Sequence, residues 1–226
     1  MKFRRPTLRQ IASGVGLFFV VLYGFWFCML VLYRWVMPPF TGVHMERRIQ
    51  SWFNKGEYKK QYQPVPLGKI SVQIQHAVVA AEDGRFFQHH GFDWQQIEHV
   101  LEKEVKNGRP RRGASTITQQ LVKNLFLTTS RSPVRKAFEI TLTPMAELVL
   151  PKQRILELYL NVIEWGPGVF GVEAASQYHY HTSAAWLSRD QAARLAACVP
   201  SPRRRKPARM DQYGAIIEER MRLMGY

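Results

Sequence analysis

The stretch Glu82-Asp83-Gly84-Arg85-Phe86-Phe87-Gln88-His89-His90-Gly91 joins an apolar run to a turn rich in aromatic and imidazole side chains. Upstream of it, Ile70, Ile74, Ala77, Val78 and Ala81 recur at three and four, the spacing of one helical face. The helix this predicts ends in two adjacent acids, and Gly84 suits its C-terminal stop. A carboxylate at a helix end is well placed to face a cleft, where burial and neighbours tune it as a general base. Glu82 is therefore the first candidate for catalysis. An isolated Glu-Asp pair in such a place is more often simply solvated, so the rest of the chain has to supply the context.

The chain has 226 residues, room for one globular domain and a short extra element. Its formal charge of +15 fits nucleic acid, an anionic membrane surface or a phosphate-bearing substrate. The N-terminus separates these readings. Residues 11–33 carry no charge and are long enough to cross a hydrocarbon core of about 30 Å as a helix. Tyr23, Trp26, Tyr33 and Trp35 are candidate interface anchors. Lys2, Arg4, Arg5 and Arg9 precede the span, which places the tail 1–10 in the cytoplasm and the remainder outside. Bulky Tyr33-Arg34-Trp35 after the span is unlike a signal-peptide cleavage site and favours an uncleaved anchor. An extracytoplasmic domain argues against a nucleic-acid partner. The positive charge then reads as attraction to anionic lipid and phosphate. Cys28 and Cys198 are too differently placed to pair, and no metal-ligand spacing is present.

Beyond the span, Pro38-Pro39 and Gly42 break the helix, and 34–66 reads as a linker with a short helix around 46–53. The domain occupies 67–226. Asp93 with Gln96 resembles a capping box, and 107–113 is a basic, breaker-rich loop expected to be mobile. Ser115 is placed to cap a helix through about Leu127. Ser132-Pro133 starts another, which Pro144 should bend or end, and Pro151 opens a further one. Ser188 with Gln191 and then Asp211 mark two more helix starts. Strand-like alternation is almost absent, so the fold reads as mainly α.

Three later blocks carry polar residues in helical register. On a helix of about 100° per residue, Ile117, Leu121 and Leu125 share one face, while Gln119, Gln120 and Lys123 lie on another. The second face offers amides and an ammonium suited to sugar hydroxyls and phosphate oxygens. Ser115 and Thr116 can be both cap and site wall. Arg135, Lys136 and Glu139 are three and four apart, close enough to pair. Ile155-Leu156-Glu157-Leu158-Tyr159-Leu160-Asn161 reads as a helix crossing the core, with its polar residues in fold support.

Taken in order, these blocks resemble the peptidoglycan glycosyltransferase family, and most closely its monofunctional, membrane-anchored biosynthetic transglycosylases. The pattern Glu-Asp-x-x-Phe-x-x-His-x-Gly is met at Glu82, Asp83, Phe86, His89 and Gly91, and the likeness covers roughly 70–202. It implies a lysozyme-like, two-lobed helical fold with a cleft. It implies catalysis by Glu82, as general base, and Glu139. Ser115, Thr116, Gln119, Gln120, Lys123, Arg131 and Lys136 would bind substrate, with Lys123, Arg131 and Lys136 holding a pyrophosphate. Asp83 would order the turn and His89 would hydrogen-bond within it. The chain departs from the family at His179-Tyr180-His181, where relatives carry Tyr-Phe-Gly, and at Asp190, where they often carry Glu.

The implied reaction is inverting transfer of a growing lipid-pyrophosphate-linked glycan to the 4-hydroxyl of lipid II, on the periplasmic face of the bacterial inner membrane. Inversion would set the two glutamates more than about 6 Å apart. No cofactor is required, although a divalent ion (Mg or Mn) near the pyrophosphate is compatible with the chemistry. Partners would be lipid II, the glycan chain, the membrane, and cell-division or wall-synthesis proteins. Trp94 and the Phe86-Phe87 turn are candidates for contact with lipid headgroups. The residues after Ser201 are too few for a crosslinking domain, so crosslinking is assigned to another protein. Two rivals stand: a lysozyme-like glycan-cleaving enzyme, which needs no cluster of cations, and a non-catalytic wall-assembly module.

Overall fold

Thr7 opens the first helix, α1 (Leu8–Tyr33), with a reciprocal capping box to Gln10. A computed structural model describes residues 7–53, 59–107 and 115–226. The basic loop expected to be mobile lies, beyond Asn107, outside the described residues. Most of α1 is exposed and apolar, as suits lipid, and it is the single helix among the described residues long and apolar enough to span a membrane.

The lower part of α1 is not surrounded by lipid alone. Trp26, Leu30 and Tyr33 are buried. The Trp26 ring lies 5.6 Å from Phe138 and 6.3 Å from Phe126, and Tyr33 stacks on Phe126 at 6.2 Å. Tyr23 and Thr141 share a hydrogen bond of 2.6 Å. Arg34 donates to the Val149 carbonyl at 2.9 Å, and Arg154 donates to the Tyr33 carbonyl at 2.8 Å. Two of the four aromatic residues expected to anchor the span at the membrane interface are thus buried against the domain, while Trp35 remains exposed. A helix that is apolar all round satisfies lipid and protein equally, so composition alone does not choose between them.

The described residues of 34–66, expected as a linker, are packed in part, with Thr41, Val43 and His44 buried. They carry α2 (Gly42–Phe53), which starts earlier than 46, and β1 (Gln61–Tyr62). The Asn161 side chain accepts from the Val65 N–H at 2.8 Å and donates to its carbonyl at 2.9 Å, as a strand neighbour would. Arg47 of α2 donates to Glu164 at 2.9 Å.

The remaining helices are α3 (Val72–Glu82), α4 (Trp94–Asn107), α5 (Ile117–Phe126), α6 (Pro133–Val149), α7 (Lys152–Val162), α8 (Val172–Tyr180), α9 (Arg189–Ala196) and α10 (Asp211–Leu223). The architecture is mainly α and lysozyme-like. A small sheet accompanies it, in order β1-β3-β2, with β2 at Glu164–Gly166 and β3 at Val169–Phe170. Strands of two or three residues are too short to show alternation, which is why the sequence reads as lacking them.

Helix α7 runs through the core, with Ile155, Leu156, Leu158, Tyr159, Leu160, Asn161 and Val162 all buried. Helices α5, α6 and α7 pack together on one side of the molecule, and α3, α9 and α10 on the other. Gly171 approaches α7 with φ +82°, where an added Cβ would stand 2.7 Å from the Asn161 carbonyl oxygen. Cys28 is exposed and Cys198 buried, both free.

Two helix boundaries differ from the sequence reading, and a third helix runs past the proline expected to bend or end it. Thr116, not Ser115, caps α5, because Gln119 completes its box. Helix α6 continues through Pro144, an exposed residue inside the span Pro133–Val149. Asp211 is the first residue of α10 and pairs with Arg194 instead of capping.

Candidate active site

Helix α3 buries Ile74, Ala77, Val78, Val79 and Ala80, and so delivers its last residue, Glu82, to the edge of the core. Asp83 then leaves the helical conformation, with φ −160° and ψ 73°, and its carboxylate is buried. That carboxylate accepts from His89 Nε2 at 2.9 Å and from the first backbone N–H of α5, on Ile117, at 3.0 Å. A buried anion at a helix N-terminus is favoured by the unpaired N–H groups and the helix dipole. Asp83 thus ties the turn to α5 and leaves Glu82 free to face outward.

Gly91 closes the turn with φ +91°, where a Cβ would stand 2.7 Å from Thr143 Cγ2. Its carbonyl accepts from Thr116 Oγ1 at 2.6 Å. Phe86 is fully buried in the core, while Phe87 and Trp94 are exposed, so only the latter two can meet lipid.

Glu82 opens onto a cleft of about 980 Å³, lined also by Gly84, Ser115, Gln120, Pro200, Arg220 and Met224. One Glu82 oxygen accepts from Gln120 Nε2 at 2.7 Å, and Gln120 Oε1 accepts from the Tyr159 hydroxyl at 2.9 Å. Burial pushes the Glu82 carboxyl above the usual carboxylate range. The Gln120 hydrogen bond and the charges of Lys123 and Arg205 oppose that rise in part. Glu82 has no salt-bridge partner among the described residues.

Glu139 sits on α6 with only 2 % of its surface exposed. Arg135 and Lys136 from the same helix both donate to it. Lys136 also donates to Ser115 Oγ at 3.3 Å, so Ser115 joins this cluster to the cleft wall. Lys123 stands in the field of both acids. Burial pushes its ammonium down, and Glu139 and, more weakly, Glu82 hold it up.

The structure therefore brings Glu82, Ser115 and Gln120 together on the cleft, with Lys123, Lys136 and Glu139 next to them. It does not do so for the other candidates. Gln119 is buried, and its side-chain oxygen accepts from the Thr116 N–H at 3.0 Å. Thr116 is likewise committed, to Gln119 and Gly91. Both serve the helix cap and not a polar face toward substrate. Arg131 is exposed and does not line the cleft. Arg205, Arg220 and Tyr159 were not singled out for the site by the sequence reading. Arg205 and Arg220 come from a basic run and a last helix far along the chain, and Tyr159 looks like core by its register.

Asp83, His89 and Asp93 hold ligand atoms within 4.8 Å of one another. The two carboxylates accept hydrogen bonds within the turn, Asp83 from His89 and the Ile117 N–H and Asp93 from Arg85 and from the Gln96 N–H at 2.8 Å, while His89 Nδ1 is buried without a partner among the described residues.

A family model described as transglycosylase matches residues 47–224. This chain belongs to the transglycosylase family. The transglycosylase is 44% identical over 219 residues to a protein of Laribacter hongkongensis, with 95% of each chain covered. It is 45% identical over 227 residues to one of Dechloromonas aromatica, covering 98% and 97%, and 44% identical over 222 residues to one of Chromobacterium violaceum, covering 96% of each. All three are named biosynthetic peptidoglycan transglycosylase. A single N-terminal helix of this transglycosylase fits a single-pass membrane anchor.

Proposed function

We propose that this transglycosylase builds peptidoglycan glycan strands from lipid II. The observation that carries the reading is the pairing of two unlike acids around one cleft. Glu82 is partly buried, without a salt bridge among the described residues, and hydrogen-bonded to a neutral amide; Glu139 is paired with two cations.

In the reaction, Glu82 takes the proton from the 4-hydroxyl of the acceptor sugar as the oxygen attacks the anomeric carbon of the donor. The bond to the lipid pyrophosphate breaks on the opposite face, which inverts the centre and leaves the lipid diphosphate as the departing anion. Burial raises the Glu82 pKa, which strengthens it as a base. Lys123, Lys136 and Arg135 place positive charge where the diphosphate charge develops. Glu139 holds the two α6 cations in place, while Arg131 is exposed and does not line the cleft. A pyrophosphate leaves readily, so the donor side needs charge stabilisation more than an acid. A glycan-cleaving enzyme would have no use for this cationic group.

The anchor fits a substrate confined to a bilayer. The basic tail before α1 favours a cytoplasmic N-terminus, with the catalytic domain on the periplasmic side of the inner membrane. Wall-synthesis and cell-division proteins are candidate partners there.

The test is gel analysis of labelled lipid II with the full chain, Glu82→Gln and Glu139→Gln, beside a parallel incubation with finished glycan. Polymer from the wild type and none from Glu82→Gln is expected. Cleavage of finished glycan without polymerisation would overturn the reading.

A further inference from the structure

Tyr159 is fully buried in the centre of α7, in a setting where a phenylalanine would fit without the cost of a buried hydroxyl. A hydroxyl in such a place needs a partner. Among the described residues its hydrogen-bond partner is Gln120 Oε1, at 2.9 Å. The other end of that amide, Nε2, donates to Glu82 Oε2 at 2.7 Å.

The chemistry of the three groups fixes their orientation. An ionised carboxylate only accepts, so the amide must turn its NH₂ toward Glu82. Its oxygen then faces the core and needs a donor. Burial pushes the Tyr159 phenol well above its ordinary range, so it stays protonated and can supply one. Rotating the amide by half a turn would set its oxygen against the Glu82 carboxylate. The phenol opposes that rotation.

We propose that Tyr159 is a positioning residue for the general base: its hydroxyl locks the Gln120 amide in the one orientation that presents Nε2 to Glu82. It touches no reacting atom. It acts through Gln120, and the bond it preserves stabilises the ionised form of Glu82, the form that accepts the sugar proton. The inference rests on Glu82 being the base, but its test does not need substrate.

The test is a titration of the Glu82 carboxyl by carbon-13 NMR in the full chain, with Glu82→Gln used to identify the resonance. Removing a hydrogen bond to a charged group should raise the midpoint by about one pH unit. Tyr159→Phe and Gln120→Leu should both do so, and the double variant should go no further than Gln120→Leu alone. Incorporating 3-fluorotyrosine at position 159 keeps the shape and strengthens the donor, so it should move the midpoint down. That opposite sign is one a purely structural role does not produce, and it stands even if Tyr159→Phe fails to fold. A midpoint that Gln120→Leu raises but fluorination leaves in place would overturn the proposal. So would a midpoint that none of the variants moves. Separately, polymerisation by the wild type reports on the proposed reaction, so the two failures are distinguishable.

Discussion

Glu82 and Glu139 are both carboxylates at the edge of the same core, and their surroundings are opposite. Glu82 ends α3, faces the cleft, and accepts a hydrogen bond from a neutral amide. Glu139 lies inside the packing of α6, with Arg135 and Lys136 closed upon it. A carboxylate with little compensation has its pKa raised by burial. A carboxylate between two cations fixes those cations in place. The same side chain becomes a base in one place and a strut in the other, and only the neighbours differ.

The comparison breaks most directly under paired amide substitutions. Glu82→Gln removes the proton acceptor, and polymer formation from labelled lipid II should fall by about 10²–10⁴-fold. Its thermal stability should hold or rise, because a crowded, unpaired charge has been removed. Glu139→Gln should do the reverse to the fold. It leaves Arg135 and Lys136 without their anion, at a cost of about 2 kcal/mol. That figure is kept modest because the Lys136 side chain is 39% exposed and screened by solvent. For a chain of this size the melting temperature should drop by about 4–8 °C. If both variants lose stability equally, the two acids are not in the different states described.

The contrast also has a pH signature. The folded-state pKa of Glu82 is raised, chiefly by burial. Between the unfolded value and that raised value, the folded chain binds the proton more tightly than the unfolded chain. Its contribution to stability is therefore fully present below the unfolded pKa and is lost as pH rises through the folded one. Activity runs the other way, since the base must be ionised. The acid limb of polymerisation should lie above the ordinary carboxylate range, and Glu82→Gln should flatten the matching fall in stability on the way to neutral pH. Melting curves and rates measured over one pH series check both.

Much of this arrangement can be read from the chain alone, and the exceptions have identifiable causes. The period of α3 places Glu82 at its end, and Ile117, Leu121 and Leu125 form the buried face of α5 as their spacing predicts. The cap of α5 was also legible, since Thr116 has glutamine three residues on and Ser115 does not. Gln119 escaped because a glutamine that looks outward by register can fold back on its own helix start. Helix α6 passes Pro144 without ending, because loss of one backbone bond on an exposed face does not end a helix held by packing on its other side. The burial of Trp26 and Tyr33 on Phe126 and Phe138 depends on contacts between distant segments, which no local pattern reports.

Lys123 and Ser115 connect the two acids, and they give the finest tests. Lys123 favours the ionised form of Glu82, and Glu139 in turn holds up the Lys123 ammonium. Lys123→Met should therefore move the acid limb of polymerisation upward, in addition to lowering the rate. Ser115 contributes less. Its hydroxyl accepts from the Lys136 ammonium at 3.3 Å, a long bond on a partly exposed cation, while its residue lines the Glu82 cleft. Ser115→Ala removes that link without touching either carboxylate. The cation keeps Glu139, so the fold should be unchanged. A loss of about 0.5–1.5 kcal/mol in the transition state corresponds to a two- to tenfold lower rate. The acid limb should stay where it is, because the hydroxyl makes no bond to Glu82. A shift of that limb on losing Ser115 would mean that the two acids are electrically coupled through the cleft wall and cannot be treated as separate devices.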